Sequence, residues 1–136
     1  MKHVLIPIDG GKRSAESAKA LADLFPPAGT RVTLLFVRED VDSTSSVILD
    51  RMARETMPVL DEVAGLMPQY AVEKVVDFGL PGHVILRYAK EHAVDVILVA
   101  RRSGSGLSSL MGSVATHLVK HAHCPVIVIP VDKAGR

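Results

Sequence analysis

The residues with the clearest chemical potential lie near the C-terminus, where small residues follow an apolar run. The run from Val94 to Ala100 is typical of a buried strand, and the Ser-Gly-Ser-Gly sequence of residues 103–106 follows it. Gly112 and Ser113 come next, in a segment with helical periodicity. The first N–H groups of a helix lack intrahelical acceptors and the helix dipole is positive there, so this order predicts an anion site. A phosphate group suits such a site.

Histidines offer a second kind of chemistry on the same segment. His117 and His121 are four residues apart, a spacing that can bind zinc. The apolar stripe through Val114, Leu118 and Ala122 leaves both histidines on another face of the predicted helix. We therefore predict no metal site.

The elements that must position these residues alternate between strand and helix. Short, branched, continuous apolar runs predict buried parallel strands at residues 4–8, 32–37, 96–99 and 126–129. A more polar run at 71–76 predicts a strand near the sheet edge. Stripes predict helices through Ala15, Ala18, Ala22 and Phe25, through Val84, Ile85, Tyr88 and Ala89, and through residues 107–122. A further helix is predicted at about 45–67, where Pro58 should kink or break it.

This alternation predicts an α/β fold, a doubly wound five-stranded parallel sheet with helices on both faces. Ligands of such sheets bind outside the carboxyl ends of the strands, where the strand order reverses. That rule places Asp9, Val37 and the loop after Ala100 on one rim of the sheet.

Size and composition restrict the classes of protein to consider. The chain has 136 residues, 48% of them hydrophobic, which predicts a single domain over residues 1–136. With 16 basic and 15 acidic residues there is no electrostatic reason to expect nucleic acid as a partner. No apolar stretch reaches the roughly 18 residues of a membrane span, and no signal peptide is recognisable. These features predict a cytoplasmic protein without a membrane partner.

The order and spacing of several motifs resemble the universal stress protein family over nearly the whole chain. The first strand and turn, residues 4–10, resemble the family's opening, and residues 34–37 resemble its second strand. Gly79-x-Pro81 resembles the start of its third helix. Residues 110–114 (Leu-Met-Gly-Ser-Val) and 119–126, with His121-Ala-x-Cys-Pro, resemble its C-terminal signature.

The resemblance implies a Rossmann-like, adenine nucleotide alpha hydrolase-like sheet, usually in a homodimer that pairs through the last strand, here Pro125–Val131. Many members bind ATP, and Mg²⁺ would accompany it. In those members the residues that correspond to Asp9 and Val37 flank the adenosine, and a Gly-x2-Gly-x9-Gly-Ser/Thr motif holds the phosphates. The implied activity is binding, with slow ATP hydrolysis at most.

This chain departs from that motif at its two early glycines. Counted back from Gly112 without a gap, these positions hold Arg102 and Val99; with one deletion they hold Ser103 and Ala100. Glycine at such positions permits positive φ and close approach of the backbone to phosphate. Gly104 and Gly106 supply new flexibility nearby, and the Arg101-Arg102 pair is suited to phosphate charge.

Two functions therefore stay open: a nucleotide-binding stress-response protein, or a nucleotide-free dimeric interaction module with a degenerate pocket. For the first, the candidate nucleotide-binding residues are Pro7, Ile8, Asp9, Val37, Val99, Ala100, Arg102, Ser103, Gly104, Gly112, Ser113 and Val114.

Overall fold

Five parallel strands form the centre of the molecule. The structure is a computed structural model and describes residues 1–10, 14–39, 41, 43–100 and 112–130. The elements are β1 (Lys2–Ile8), α1 (Ser14–Leu24), β2 (Thr30–Arg38), α2 (Ser46–Ala64), β3 (Ala71–Phe78), α3 (Pro81–Glu91), β4 (Val96–Ala100), α4 (Ser113–His121) and β5 (Val126–Ile129). The predicted fold class is confirmed.

The strand order is β3-β2-β1-β4-β5, and every neighbouring pair is parallel. The chain builds the sheet outward from β1 to β3, returns to the other side of β1 for β4, and ends at β5. The order therefore reverses between β1 and β4. The more polar strand β3 occupies one edge, as its composition predicts.

The hydrophobic core has two halves, one on each face of the sheet. Alternate residues of β1 point to opposite faces, because side chains alternate along a strand. Val4 and Ile6 belong to the half that includes Leu21 of α1 and Leu60 of α2. Leu5 belongs to the half covered by α3 and α4. Each of the four helices in the described residues thus buries a face against the sheet.

The predicted stripe of helix α1 is only partly correct: Ala18 and Phe25 pack against the core, but the most buried residues are others. Ser17 and Leu21 are its buried residues, whereas Ala15 and Ala22 are exposed. Leu21 is completely buried. Burying one leucine removes much more apolar surface from water than burying an alanine does, so Leu21 sets the rotation of the helix.

Helix α2 runs from Ser46 to Ala64 without interruption, so of the predicted kink or break at Pro58 the break is wrong. A proline in a helix removes one backbone hydrogen bond and clashes with the preceding turn. Packing of Thr56, Leu60 and Val63, which are buried on either side of Pro58, maintains the helix through that position. The predicted helical start at 107–111 lies outside the described residues.

Candidate functional site

A cavity of about 250 Å³ lies at the carboxyl rim of the sheet, where the strand order reverses. Its floor is formed by the ends of β1, β2 and β4, and its walls by the first turns of α1, α3 and α4. The lining residues are Pro7, Ile8, Asp9, Ser14, Ser17, Leu35, Phe36, Val37, Glu39, Pro81, Ile85, Val99, Ala100 and Gly112–Ala115. This is the place where open parallel sheets bind their ligands.

The cavity brings together the sequence candidates that the structure describes, namely Pro7, Ile8, Asp9, Val37, Val99, Ala100, Gly112, Ser113 and Val114. The remaining candidates, Arg102, Ser103 and Gly104, lie outside the described residues, as does the rest of the predicted phosphate loop. Binding by any of these residues stays a prediction.

Three helix N-termini meet at this cavity. Helix α1 begins at Ser14, α3 at Pro81 and α4 at Ser113, and each of these residues lines the cavity. Gly112, the residue before α4, has no side-chain oxygen to cap the first N–H groups of that helix. The carbonyl of Gly112 instead accepts hydrogen bonds from the Thr116 backbone and hydroxyl groups, both at 2.9 Å. The helix ends together create a positive potential in the cavity.

The end of β4 favours one of the two alignments of the glycine motif. Val99 is only 6% exposed and packs in the core below α3 and α4. Ala100 is the last residue of β4 and is half-buried at the rim. A glycine that lets the backbone approach phosphate belongs at the rim and not in the core, so the register with one deletion fits the structure better.

The turn after β1 requires glycine for its backbone conformation. Gly10 has a φ of +83°, a backbone angle that residues other than glycine rarely adopt. A Cβ added there would lie 3.5 Å from the Phe36 ring, an ordinary contact, so φ and not space is the constraint.

The described part of the cavity wall carries charge only on acidic side chains, Asp9 and Glu39. Both are exposed and both follow strands on the β1–β2 side. The helix end of α4 lies on the other side of the reversal point. The described wall therefore combines two carboxylates, near the ends of β1 and β2, with the N-termini of three helices.

Several lining residues were missed by sequence reasoning. Ser14 and Ser17 of α1, and Pro81 and Ile85 of α3, reach the cavity because those helices begin at its rim. The resemblance included Pro81 as a motif residue, which was the available signal. Glu39 had no signal, because it follows β2 in a segment without a motif.

The described residues contain no group of three or more His, Cys, Asp or Glu side chains that could hold a metal ion. His117 and His121 lie on α4 with their ring centroids 4.7 Å apart, away from the cavity lining. Within the same residues, no helix has the length and apolar character needed to cross a membrane.

Comparisons with known proteins place this cavity in context. The sequence pattern of the Universal stress protein family matches residues 1–130. A universal stress protein of Methanocaldococcus jannaschii, MJ0531, is 26% identical over 97% of this chain and 84% of its own length. The universal stress protein YxiE of Bacillus subtilis is 30% identical over 93% of this chain and 97% of its own length.

Solved structures share the fold at lower identity. The hypothetical protein MJ0577 superposes with a TM-score of 0.81 at 20% identity, covering 97% of both chains. Other similar structures are described with adenine nucleotides. A universal stress protein from Archaeoglobus fulgidus in complex with dAMP has a TM-score of 0.70 at 19% identity, covering 95% of this chain and 97% of that one. A family member from Arabidopsis thaliana with AMP bound has a TM-score of 0.68 at 19% identity, covering 99% of this chain and 95% of that one. A further universal stress protein is in complex with cAMP (TM-score 0.68, 15% identity, 96% and 98%).

The family's pattern thus spans every helix and strand that the structure describes, and the relatives align over most of their own length. The chain belongs to the universal stress protein family.

Proposed function

We propose that this chain is a small cytoplasmic stress-response protein that binds an adenine nucleotide in the cavity at the carboxyl rim of its sheet. Binding, and not turnover, is the function. Occupancy changes the rim surface that a partner meets, since a ligand that prefers one conformation shifts the population toward it. ATP with Mg²⁺ and AMP are the nucleotides to compare first.

The observation that carries the proposal is the meeting of three helix N-termini around one cavity at the reversal of strand order. Each helix end offers N–H groups and a positive potential to an anion. A phosphate at the α4 end leaves the adenosine on the β1–β2 side, near Asp9 and Val37. Carboxylate oxygens there can accept hydrogen bonds from ribose hydroxyl or adenine amino groups.

The solved relatives support an adenine nucleotide over other anions. Structures with the same fold are described with AMP, dAMP and cAMP. The replacement of the early glycines affects the phosphate end of the cavity and leaves the adenosine end intact. Loss of affinity should therefore be greater for ATP than for AMP, because ATP places more charge on the altered loop.

The decisive variant is Ser113→Asp, which puts a carboxylate at the first residue of α4, inside the cavity lining. Repulsion of phosphate should weaken nucleotide binding by at least about tenfold, a loss of about 1.4 kcal/mol. Isothermal titration calorimetry with AMP and with ATP plus Mg²⁺ measures the effect directly.

Ser46→Asp is the matched control. Ser46 is also the exposed first residue of a helix that lacks an acidic residue in its first turn, but it is not in the cavity lining. Both substitutions add the same charge to a helix N-terminus, so their effects on folding should be alike. Equal nucleotide affinity in the two variants, or no binding by the unaltered protein, would refute the proposed site.

A second candidate function is a nucleotide-free dimeric interaction module, and the last strand is the feature that suggests its dimer contact. β5 pairs only with β4 in the sheet, and Val126, Ile127 and Val128 are half-buried in the single chain. An open edge rich in branched residues tends to pair with another strand. We propose a homodimer through this edge for either function.

A further inference from the structure

Three histidines form a cluster on the outside of the cavity wall. His83 is the third residue of α3, and His117 and His121 lie on α4. The ring centroids of His83 and His117 are 5.1 Å apart, and those of His117 and His121 are 4.7 Å apart. We call these three residues the histidine cluster. Its central member, His117, is half-buried, whereas the other two are exposed.

The ring of His117 lies directly on the backbone of α3. A Cβ built on Gly82 would be 2.6 Å from Cδ2 of His117, a separation that real atoms do not tolerate. Any side chain at residue 82 would therefore move the ring or separate the helices. Gly82 permits the first turn of α3 to meet α4 through an imidazole.

This contact is adjacent to the candidate binding site. Pro81, next to Gly82, lines the cavity, and so does Ser113, one turn before His117 on α4. A change in the spacing of α3 and α4 at the histidine cluster must therefore alter the cavity wall on its inner side.

The surroundings of the cluster oppose the accumulation of positive charge. His83 is near the N-terminus of α3, where the helix dipole disfavours a cation, whereas His121 ends α4, where a cation is favoured. Partial burial lowers the pKa of His117, and the charges of His121 and His83 lower it further.

Other charged groups near the contact between α3 and α4 do not offset this repulsion. On α3, Arg87 follows His83 by one turn and is itself basic, and its guanidinium lies 3.5 Å from Asp77. Lys120 adds another basic group on α4. β5, which also packs against α4, has no titratable side chain between Val126 and Ile129. No carboxylate of the described residues is among the groups that act on His117.

We infer that the histidine cluster is an acid-sensitive contact: when neutral it holds the first turn of α3 against α4, and when a second proton enters it the two helices separate and nucleotide affinity falls. The effect on affinity rests on the proposed function, whereas the separation of the helices does not. Protonation of an imidazole breaks no bond of the chain, so the helices come together again when the pH is raised.

The binding test uses cAMP, whose phosphodiester charge does not change between pH 7.5 and 5.5, unlike a phosphomonoester with a pKa of about 6. Affinity of the unaltered protein should fall at least about fivefold over this range, a coupling of ordinary size for linked sites. In the double variant His83→Gln, His121→Gln the fall should be less than about twofold. EDTA in every buffer prevents uptake of divalent metals by His117 and His121.

His123→Gln is the matched control, because it removes a histidine that follows α4 but is not in ring contact with the cluster. This variant should retain the full acid-dependent loss of cAMP affinity. An equal loss in the double variant and the unaltered protein would overturn the inference.

Nuclear magnetic resonance separates the inference from the proposed function. The imidazole signals of the cluster and the amide signals of Gly82 and Ser113 are followed from pH 8 to 5 without ligand. The amide signals should shift with the titration of the cluster and stop shifting in the double variant. Amide signals that do not follow the cluster would refute the inference, even if cAMP binds. If cAMP does not bind at pH 7.5 but the amide signals still follow the cluster, the result would refute only the proposed nucleotide binding.

Discussion

His3 is a buried histidine whose hydrogen bonds define its protonation state. It is 3% exposed on β1, with Nε2 2.8 Å from the Thr33 hydroxyl oxygen and Nδ1 3.0 Å from the Arg31 guanidinium. A guanidinium can only donate hydrogen bonds, so Nδ1 accepts one from Arg31. In the neutral ring the proton is then on Nε2, which donates a hydrogen bond to the Thr33 hydroxyl. In this tautomer the His92 carbonyl, 3.3 Å from Nδ1, receives no hydrogen bond from that nitrogen, because both groups are acceptors. The neutral ring therefore suits the folded state.

This arrangement predicts a loss of stability in mild acid. Burial, and next the charge of Arg31, lowers the pKa of His3 below its ordinary value. Below about pH 6.5 the unfolded chain binds the proton more readily than the folded one, so the free energy of unfolding should decrease as pH falls. Above that pH both states are neutral and His3 adds no pH dependence.

His3→Gln tests this account, since glutamine keeps an acceptor for Arg31 and a donor for Thr33 but does not titrate. Urea unfolding at pH 7.0 and 5.5 should show a smaller decrease in stability for the variant than for the unaltered protein. Equal decreases in the two proteins would show that His3 is not the group that titrates.

Ala100 is the residue where the altered phosphate motif can be restored. Because it ends β4 at the cavity rim, Ala100→Gly should strengthen ATP binding several-fold while destabilising the fold by roughly 0.5–1 kcal/mol through backbone entropy. Calorimetry with ATP and Mg²⁺, together with urea unfolding, measures both effects.

Ala71→Gly is the control for that substitution, since Ala71 is the exposed first residue of β3 and is outside the cavity lining. It should lose similar stability without a gain in affinity. An Ala100→Gly protein that binds ATP no better than the unaltered chain would mean that this position does not limit phosphate binding.

At the scale of elements, one backbone edge of β5 is hydrogen-bonded to β4, and the other has no strand partner among the described residues. Ile97 donates its N–H to the Pro125 carbonyl at 3.0 Å. Backbone groups alternate in direction along a parallel strand, so those of Ile127 and Ile129 also point toward β4. The N–H groups of Val126 and Val128 consequently point to the open edge, where a second chain would pair.

Val128→Pro removes one of these outward N–H groups and none of those that bond to β4. If two chains pair through this edge, the variant should be monomeric in light scattering at concentrations where the unaltered protein is a dimer. Circular dichroism checks that the fold is retained. A variant that is folded and still dimeric would place the dimer interface elsewhere.

Element prediction from sequence succeeded where burial leaves a simple pattern. The apolar strands β1, β2 and β4 were recognisable because both faces of a central parallel strand are covered. β5 was also predicted to be buried, but it lies at the sheet edge and Val126–Val128 are only half-buried. Helix α3 was recognisable because Val84, Ile85, Tyr88 and Ala89 all face the core. The orientation of α1 was not predictable in this way. Its alanines recur at helical spacing, but they bury too little apolar area to outweigh Leu21.

At the scale of the whole molecule, the sequence was informative about the strand ends and less so about what surrounds them. Asp9, Val37 and Gly112 follow from the rim rule and the family's motifs, and the cavity contains all three. Ile85 and Glu39 were missed, because no local pattern states which helix or loop comes to lie against which strand end. The histidine cluster was missed for the same reason: His83 and His117 meet only through the packing of α3 on α4.

The central position of β1 has a consequence for the order in which the molecule is made. β1 pairs on one side with β2, which follows it directly, and on the other with β4, where Val4 meets Val96. During synthesis β1, β2 and β3 leave the ribosome first and can already form three strands of the sheet. The newborn chain then carries Asp9 and Val37 but not the α4 helix end. The cavity becomes complete only when the final third of the chain has been synthesised, so a ligand of this cavity, such as the proposed nucleotide, would stabilise only the finished protein.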